Sequence, residues 1–274
     1  MREITDLNEL KKIELSVLIE VDKICRENGL RYMLCGGTLL GAVRHGGFIP
    51  WDDDIDIFMP RPDYDKLIDY CDEHDVSFDL FSPANNREYT QMYLKACNKD
   101  TMVIDNEADL KMCHFGVWVD IFPIDGLGDT VLEAKRFLRT ITCAELLCVA
   151  SRWKKYTRNP KNRWGYEVIR FCTFLISRMI FDVNAFVKKI DKKAKSLEFE
   201  KSKYCGSVYG SYGQKEIMTR EMFEKTCELT FENQLFLCPE NYEEYLKNIY
   251  GNYMELPPVE EQQTHHNFVA YWKE

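Results

Sequence analysis

The segment Pro50-Trp-Asp-Asp-Asp-Ile-Asp-Ile-Phe58 constrains this chain most. Side chains on a strand alternate faces and rise about 3.3 Å per residue, so Asp54 and Asp56 share one face while Ile55 and Ile57 point oppositely into a core. Two carboxylates roughly 6 to 7 Å apart along a strand are placed to converge on one divalent ion or a close pair. Upstream, Tyr32-Met-Leu-Cys35 is a short apolar run that stops at Gly36-Gly37, and Thr38 to His45 has helical composition with Gly46 as its stop. The backbone N–H groups at that helix start, at Gly36, Gly37 and Thr38, are expected to hold phosphate oxygens, with glycine allowing close approach. The loop Gly46-Gly47-Phe48-Ile49-Pro50 gives the chain room to reverse and lay the acidic strand beside the glycine turn. Asp52-x-Asp54-x-Asp56 also matches the opening of an EF-hand calcium loop. That reading fails, because the sixth position needs Gly and holds Ile57, and Pro60 and Pro62 stiffen the rest of the loop.

A two-metal phosphoryl-transfer site needs a further carboxylate, and Asp120 in Gly116-Val-Trp-Val-Asp-Ile-Phe-Pro-Ile-Asp125 is the candidate. An acid inside an apolar strand is costly to bury unless compensated, as a metal would do; otherwise it is an edge acid facing water. Asp125, between Pro123 and Gly126, reads as structural in a turn. Lys95 is a lone cation within a strand pattern that either reaches a phosphate or snorkels to solvent. Arg44 and His45 either contact substrate or complement the helix dipole, and Asp53 joins them as a contact candidate. His265 and His266 either close over the site or lie on the surface.

A net charge of −9 argues against a general grip on nucleic acid. The opening residues are polar and charged, with no secretory signal, and the longest apolar stretch, 171–181, is too short and too charged to span a bilayer. Eleven cysteines are scattered singly without Cys-x-x-Cys, which reads as small buried hydrophobes in a reducing cytoplasm. Between Arg152 and Arg170 stand seven basic residues and one acid, with Trp153 and Trp164 interleaved, ahead of the apolar run. That segment is either a solvated helix face or, over 152–181, a peripheral contact with an anionic polymer or membrane surface.

Helical spacing over 6–28 and 62–73 alternates with strand patterns at 78–81, 92–96, 101–104 and 117–122, which indicates an α/β domain with a mixed sheet. From about 130 to 200 long helical periodicity reads as a helical insert. Turn-rich residues 204–214, an alternating segment 228–237, a helix over 241–250 and an irregular tail complete the chain.

The run Gly37-Thr-Leu-Leu-Gly-Ala-Val-Arg-His-Gly-Gly-Phe-Ile-Pro-Trp-Asp-Asp-Asp-Ile-Asp56 strongly resembles the LicD family, related to fukutin-type phosphotransferases and polymerase-β-like nucleotidyltransferases. Val119 to Asp125 resembles its second acidic segment, and Tyr250 to Pro258 with His265-His266 its C-terminal signature, with Asn252 where members often carry Asp. The resemblance implies a nucleotidyltransferase-like mixed sheet flanked by helices, in one transferase domain over 1–274 with a helical insert. It also implies transfer of phosphocholine, or a similar phospho-alcohol, from CDP-choline or a related CDP-alcohol to a sugar of a cell-surface or lipid-linked glycan such as teichoic acid or lipopolysaccharide. Mg²⁺ or Mn²⁺ would be held by Asp54, Asp56 and Asp120, the catalytic acids, with the donor diphosphate on Gly36, Gly37 and Thr38, and Lys95 beside it. Arg44, His45, Trp51, Asp53, Trp118 and His266 are the substrate-contact candidates, with Trp51, Tyr93 and Trp118 as an aromatic cage for quaternary ammonium. Two rivals stay open: a nucleotidyltransferase releasing pyrophosphate from an NTP, and a non-catalytic binding module. The expected location is cytoplasmic, at the inner face of the membrane.

Overall fold

A computed structural model describes residues 1–87, 89–105, 115–159, 162–180, 182–264 and 268–273. Lys161, His265 and His266 lie outside the described residues. Strand β1 (Arg2–Ile4) leads into helix α1 (Leu7–Glu27), whose start is capped by the Asp6 carboxylate accepting from Asn8 N–H at 2.9 Å. Leu10, Ile13, Val17, Val21 and Ile24 recur every three or four residues and are buried, so one stripe of α1 forms core. The helix ends at Asn28, and Gly29 follows at φ +62°, a left-handed turn suited to glycine.

The main sheet has seven strands. Along one path it runs β2 (Met33–Leu34), β3 (Asp56–Pro60), β7 (Trp118–Gly128), β5 (Leu94–Asn98) and β4 (Phe78–Phe81). β8 (Tyr204–Ser207) pairs with the far half of β7 and β9 (Met218–Thr219) pairs with β8. Only β3 and β7 run parallel among these pairs, so the sheet is mixed. It is flanked by α2 (Gly36–His45), α3 (Arg61–Glu73) and α7 (Tyr242–Tyr250), an α/β arrangement as the sequence leads one to expect. Ile55 and Ile57 are fully buried, each contributing about 1.5–3 kcal/mol.

Three helices, α4 (Val131–Arg152), α5 (Trp164–Ser177) and α6 (Val183–Ala194), occupy the stretch read as an insert. Thr130 and Glu133 close a capping box at the start of α4. The alternating segment forms the hairpin β10 (Thr226–Phe231) and β11 (Gln234–Pro239), turned by Glu232 and Asn233 at φ 51° and 62°.

Several expectations need correction. The tail is not irregular throughout: β12 (Phe268–Trp272) lies between β1 and β6 (Thr101–Asp105) in a separate three-stranded antiparallel sheet. Strand β3 starts at Asp56, so Asp54 stands just before it, outside the strand. Strand β7 runs on through Pro123 and Asp125 to Gly128, where a turn was expected. Proline is tolerated because residues 122–123 fall between the part of β7 that pairs with β5 and the part that pairs with β8. Among the described residues ten cysteines form no disulfide; six are buried, while Cys143 and Cys172 are exposed.

Candidate active site

Strand pairing sets the centre of the site. Asp56 on β3 stands level with Asp120 on β7, and Asp120 stands level with Lys95 on β5, so three charged side chains form one row across neighbouring strands. The Lys95 ammonium donates to Asp120 Oδ1 at 2.5 Å, and both residues are almost wholly buried. Lys95 therefore does not snorkel to solvent, and its ammonium is directed at Asp120. It is the counter-charge that lets Asp120 stay inside an apolar strand.

The aromatic residues explain why a lysine is tolerated there. Its ammonium sits 3.9 Å from the Trp118 ring centre, with Tyr93 and Phe115 at 5.4 and 5.5 Å. Trp118 and Tyr93 thus surround the chain's own cation instead of standing open as a cage. Trp51, the third expected member, is elsewhere: it lines the main cleft and meets His45 edge-on at 6.5 Å.

Among the described residues no cation pairs directly with Asp56, and Lys95 offsets its charge only from the far side of Asp120. Burial pushes its carboxyl well above the usual range, and the carboxylates of Asp54, Asp120 and Asp52 push it further. Asp52, Asp53 and Asp54 bring carboxylate oxygens within 4.8 Å of one another. Crowded hard oxygen donors of this kind suit Mg²⁺ or Mn²⁺. Among the described residues the close grouping is Asp52, Asp53 and Asp54, so of the expected ligands Asp54 belongs to it while Asp56 and Asp120 stand level on the neighbouring strands. The cleft beside them measures about 1150 Å³ and is lined by Gly37, Asp52, Asp54, Asp56, Tyr212 and Tyr250 among others. Asp53 and Asp120 are both buried and do not line that cleft.

Helix α2 begins at Gly36, two residues earlier than its composition suggests, and points its start at these acids. Gly36 has φ +53°, and a Cβ there would lie 3.4 Å from Asp56 Oδ2. At Gly37 a Cβ would meet Asp52 Oδ2 at 2.6 Å, so a side chain there would displace the Asp52 carboxylate from its place against the helix start. Of the three expected phosphate ligands, Gly36 N–H donates to Tyr245 Oη at 3.3 Å and Thr38 Oγ1 accepts from Asp56 N–H at 2.9 Å. Gly37 faces the cleft.

Arg44 lines the same cleft and is also tied to its wall. Its Nη1 donates to the carbonyls of Tyr253 and Glu255 at 3.1 and 3.3 Å, fastening the C-terminal segment that walls the cleft. His45 is exposed at the helix end. Residues missed by sequence reasoning are Asp52, hidden as one of three adjacent acids, and the pair Tyr212 and Tyr250, whose hydroxyls meet at 2.5 Å. Tyr250 carried a signal through the C-terminal signature; Tyr212, in a turn-rich stretch, carried none.

Burial also pushes Asp52 up to about 7, helped by Asp54 and Asp53, and pushes Glu216, behind Tyr212, up to about 8. Both values exceed those of an unfolded chain, so the folded protein holds protons that the unfolded chain has released. Stability in metal-free buffer is expected to fall as pH rises from about 4.5 through 8. Thermal melts across that window check this, and a melting temperature that climbs instead would refute it.

A family model described as LicD/FKTN/FKRP, nucleotidyltransferase domain, matches residues 29–139. The chain is 30% identical over 276 residues to the lipopolysaccharide cholinephosphotransferase LicD of Haemophilus influenzae, covering 99% of each. Human ribitol 5-phosphate transferase FKRP is 66% identical over 29 residues, 11% of this chain and 6% of that protein. An uncharacterized protein of Rickettsia prowazekii is 46% identical over 133 residues, covering 40% of this chain and 49% of its own length. End-to-end similarity to one member, together with the family match across the glycine turn and all the charged residues of the row, places the protein: the chain belongs to the LicD family.

Proposed function

We propose that the protein is a phosphotransferase that moves phosphocholine, or a similar phospho-alcohol, from a CDP-activated donor to a sugar hydroxyl of a cell-surface or lipid-linked glycan. The supporting observation is the Asp56–Asp120–Lys95 row beside a glycine-led helix start, in a chain similar end to end to a lipopolysaccharide cholinephosphotransferase. Asp54, Asp56 and Asp120 would hold Mg²⁺ or Mn²⁺, which supplies charge neutralisation at the transferring phosphoryl group.

The chain's own residues do the rest. Gly37 and the start of α2 offer the donor diphosphate a surface without side chains, at the positive end of a helix dipole. Asp120, ion-paired with Lys95, takes the proton of the acceptor hydroxyl. The acceptor oxygen forms its bond to the choline-bearing phosphorus as the bond to CMP breaks, and CMP departs with that electron pair. Such transfers depend on positioning and electrostatics more than on covalent help. The segment fastened by Arg44 forms one wall of the cleft in which donor and acceptor would meet.

The family model's description as a nucleotidyltransferase domain supports a second reading, attack on the α-phosphorus of an NTP with release of pyrophosphate. Incubating the protein with CDP-alcohols and NTPs, and weighing the released product, separates the two. CMP from CDP-choline is expected; pyrophosphate overturns the first reading, and neither product favours a binding module. Calorimetry adds a further check: Mg²⁺ should bind more tightly with CDP-choline present, because phosphates complete its shell. Equal affinity in both conditions would mark a structural ion.

A further inference from the structure

Helix α5 is built inside out. Its inward face carries Glu167, which is buried and accepts from Tyr156 Oη, Asn162 Nδ2 and Arg170 Nη1 at 2.5, 2.6 and 2.6 Å. The Arg170 guanidinium also lies 5.0 Å from the Trp153 ring. The outward half carries Trp164, Val168, Ile169, Phe171, Leu175 and Ile176, with Trp164 75% and Ile169 62% exposed. No charged residue falls on that half at 100° per residue. A helix lying against a water-facing protein shows the opposite order, with charges outward and the apolar stripe inward. Contiguous apolar surface of this kind marks a place where something docks.

Charge identifies the occupant. Residues 152–181 contain eight basic residues and one acid, the inward-facing Glu167, in a chain whose net charge is −9. Lys154, Lys155, Arg158 and Arg163 are exposed just ahead of the helix. A second copy docking about a two-fold axis would bring this patch onto itself and set two basic rims together. A bilayer rich in anionic lipid offers the opposite sign. Spanning is excluded for α5, because its 14 residues rise about 21 Å against a hydrocarbon core of about 30 Å. Among the described residues no helix is long and apolar enough to cross a membrane.

We infer that α5 is an interfacial anchor that lies flat on an anionic lipid bilayer, its apolar half at the acyl boundary and the basic residues ahead of it on the headgroups. This goes beyond the transfer chemistry and does not depend on it, since vesicle binding requires neither donor nor acceptor.

The test uses the full chain with phosphatidylcholine vesicles, with and without phosphatidylglycerol. Co-sedimentation is expected with the anionic vesicles, weakening as salt is added, together with a blue shift of tryptophan emission that Trp164→Phe diminishes. The double variant Ile169→Asp/Leu175→Asp, at two exposed positions, should bind at least about tenfold more weakly at unchanged melting temperature. Lys154→Gln/Lys155→Gln/Arg158→Gln should reduce binding to the anionic vesicles in the same direction. Absence of wild-type binding to anionic vesicles overturns the inference, as does equal binding by the aspartate variant. So does a concentration-dependent dimer that the aspartate variant abolishes while vesicles stay unbound. Loss of vesicle binding with CMP release intact would leave the transferase reading standing.

Discussion

Asp56→Asn and Asp120→Asn should each lower turnover by about a hundredfold or more, the scale of removing one main electrostatic stabiliser, yet move stability in opposite directions. Asp56 is a buried carboxyl pressed by Asp54, Asp120 and Asp52, so a neutral amide of the same shape relieves repulsion and keeps or raises the melting temperature of the metal-free protein. Asp120 is the partner of a buried lysine 2.5 Å away. Its loss leaves that ammonium unpaired among Trp118, Tyr93 and Phe115, at a cost of about 3 kcal/mol. Steady-state assays with CDP-choline and denaturant titrations on the same preparations read both quantities. Near wild-type rates for Asp56→Asn at saturating Mg²⁺ would remove it from the chemistry, and equal destabilisation by both variants would refute the charge account.

The second large effect lies away from the cleft. Arg61, the first residue of α3, makes a two-pronged bond to Asp125 at 2.6 and 2.7 Å and reaches Asp191 of α6 at 3.0 Å. Asp125 is completely buried, so Arg61→Ala strands a carboxylate in the core and is expected to cost about 3–5 kcal/mol. Arg61→Met/Asp125→Leu, which removes both charges and keeps the volume, should recover most of that loss. Urea unfolding of the single and double variants decides it. A double variant as unstable as Arg61→Ala would show that the pair is not the cause.

The difference between these two acids illustrates what the sequence discloses. Asp56 and Asp120 were legible because acids interrupt apolar strands there, and their alternation placed Ile55 and Ile57 in the core, where both are found. Asp125 looked like a turn residue because its neighbours are Pro123 and Gly126. The change of strand partners that admits the proline is a tertiary fact with no local signature. The role of Lys95 was open for the same reason, since its counter-ion is 25 positions away and meets it only through strand register. The aromatic residues were noticed, but spacing cannot say whether they enclose a ligand or a lysine. Helices α1, α3 and α7 followed from periodicity and caps, whereas the alternation over 228–237 read as one segment and did not disclose the turn at Glu232 and Asn233 that makes it a hairpin. Strand β1, three residues long, and β12 escaped because each is defined by a partner at the other end of the chain.

That last pairing also has a bearing on the order of synthesis. Strand β12 is central in its sheet, with Arg2 opposite Trp272 on one side and Thr101 opposite Trp272 on the other. Because domains gain structure while the chain emerges during synthesis, β1 and β6 must wait with open edges until β12 appears. The stretch Tyr253 to Thr264, part of the cleft wall, is tethered at its far end by that same late strand. A nascent chain can therefore assemble the Asp56–Asp120–Lys95 row well before the wall around it is drawn taut, which makes the emergence of β12 the event that finishes the cleft.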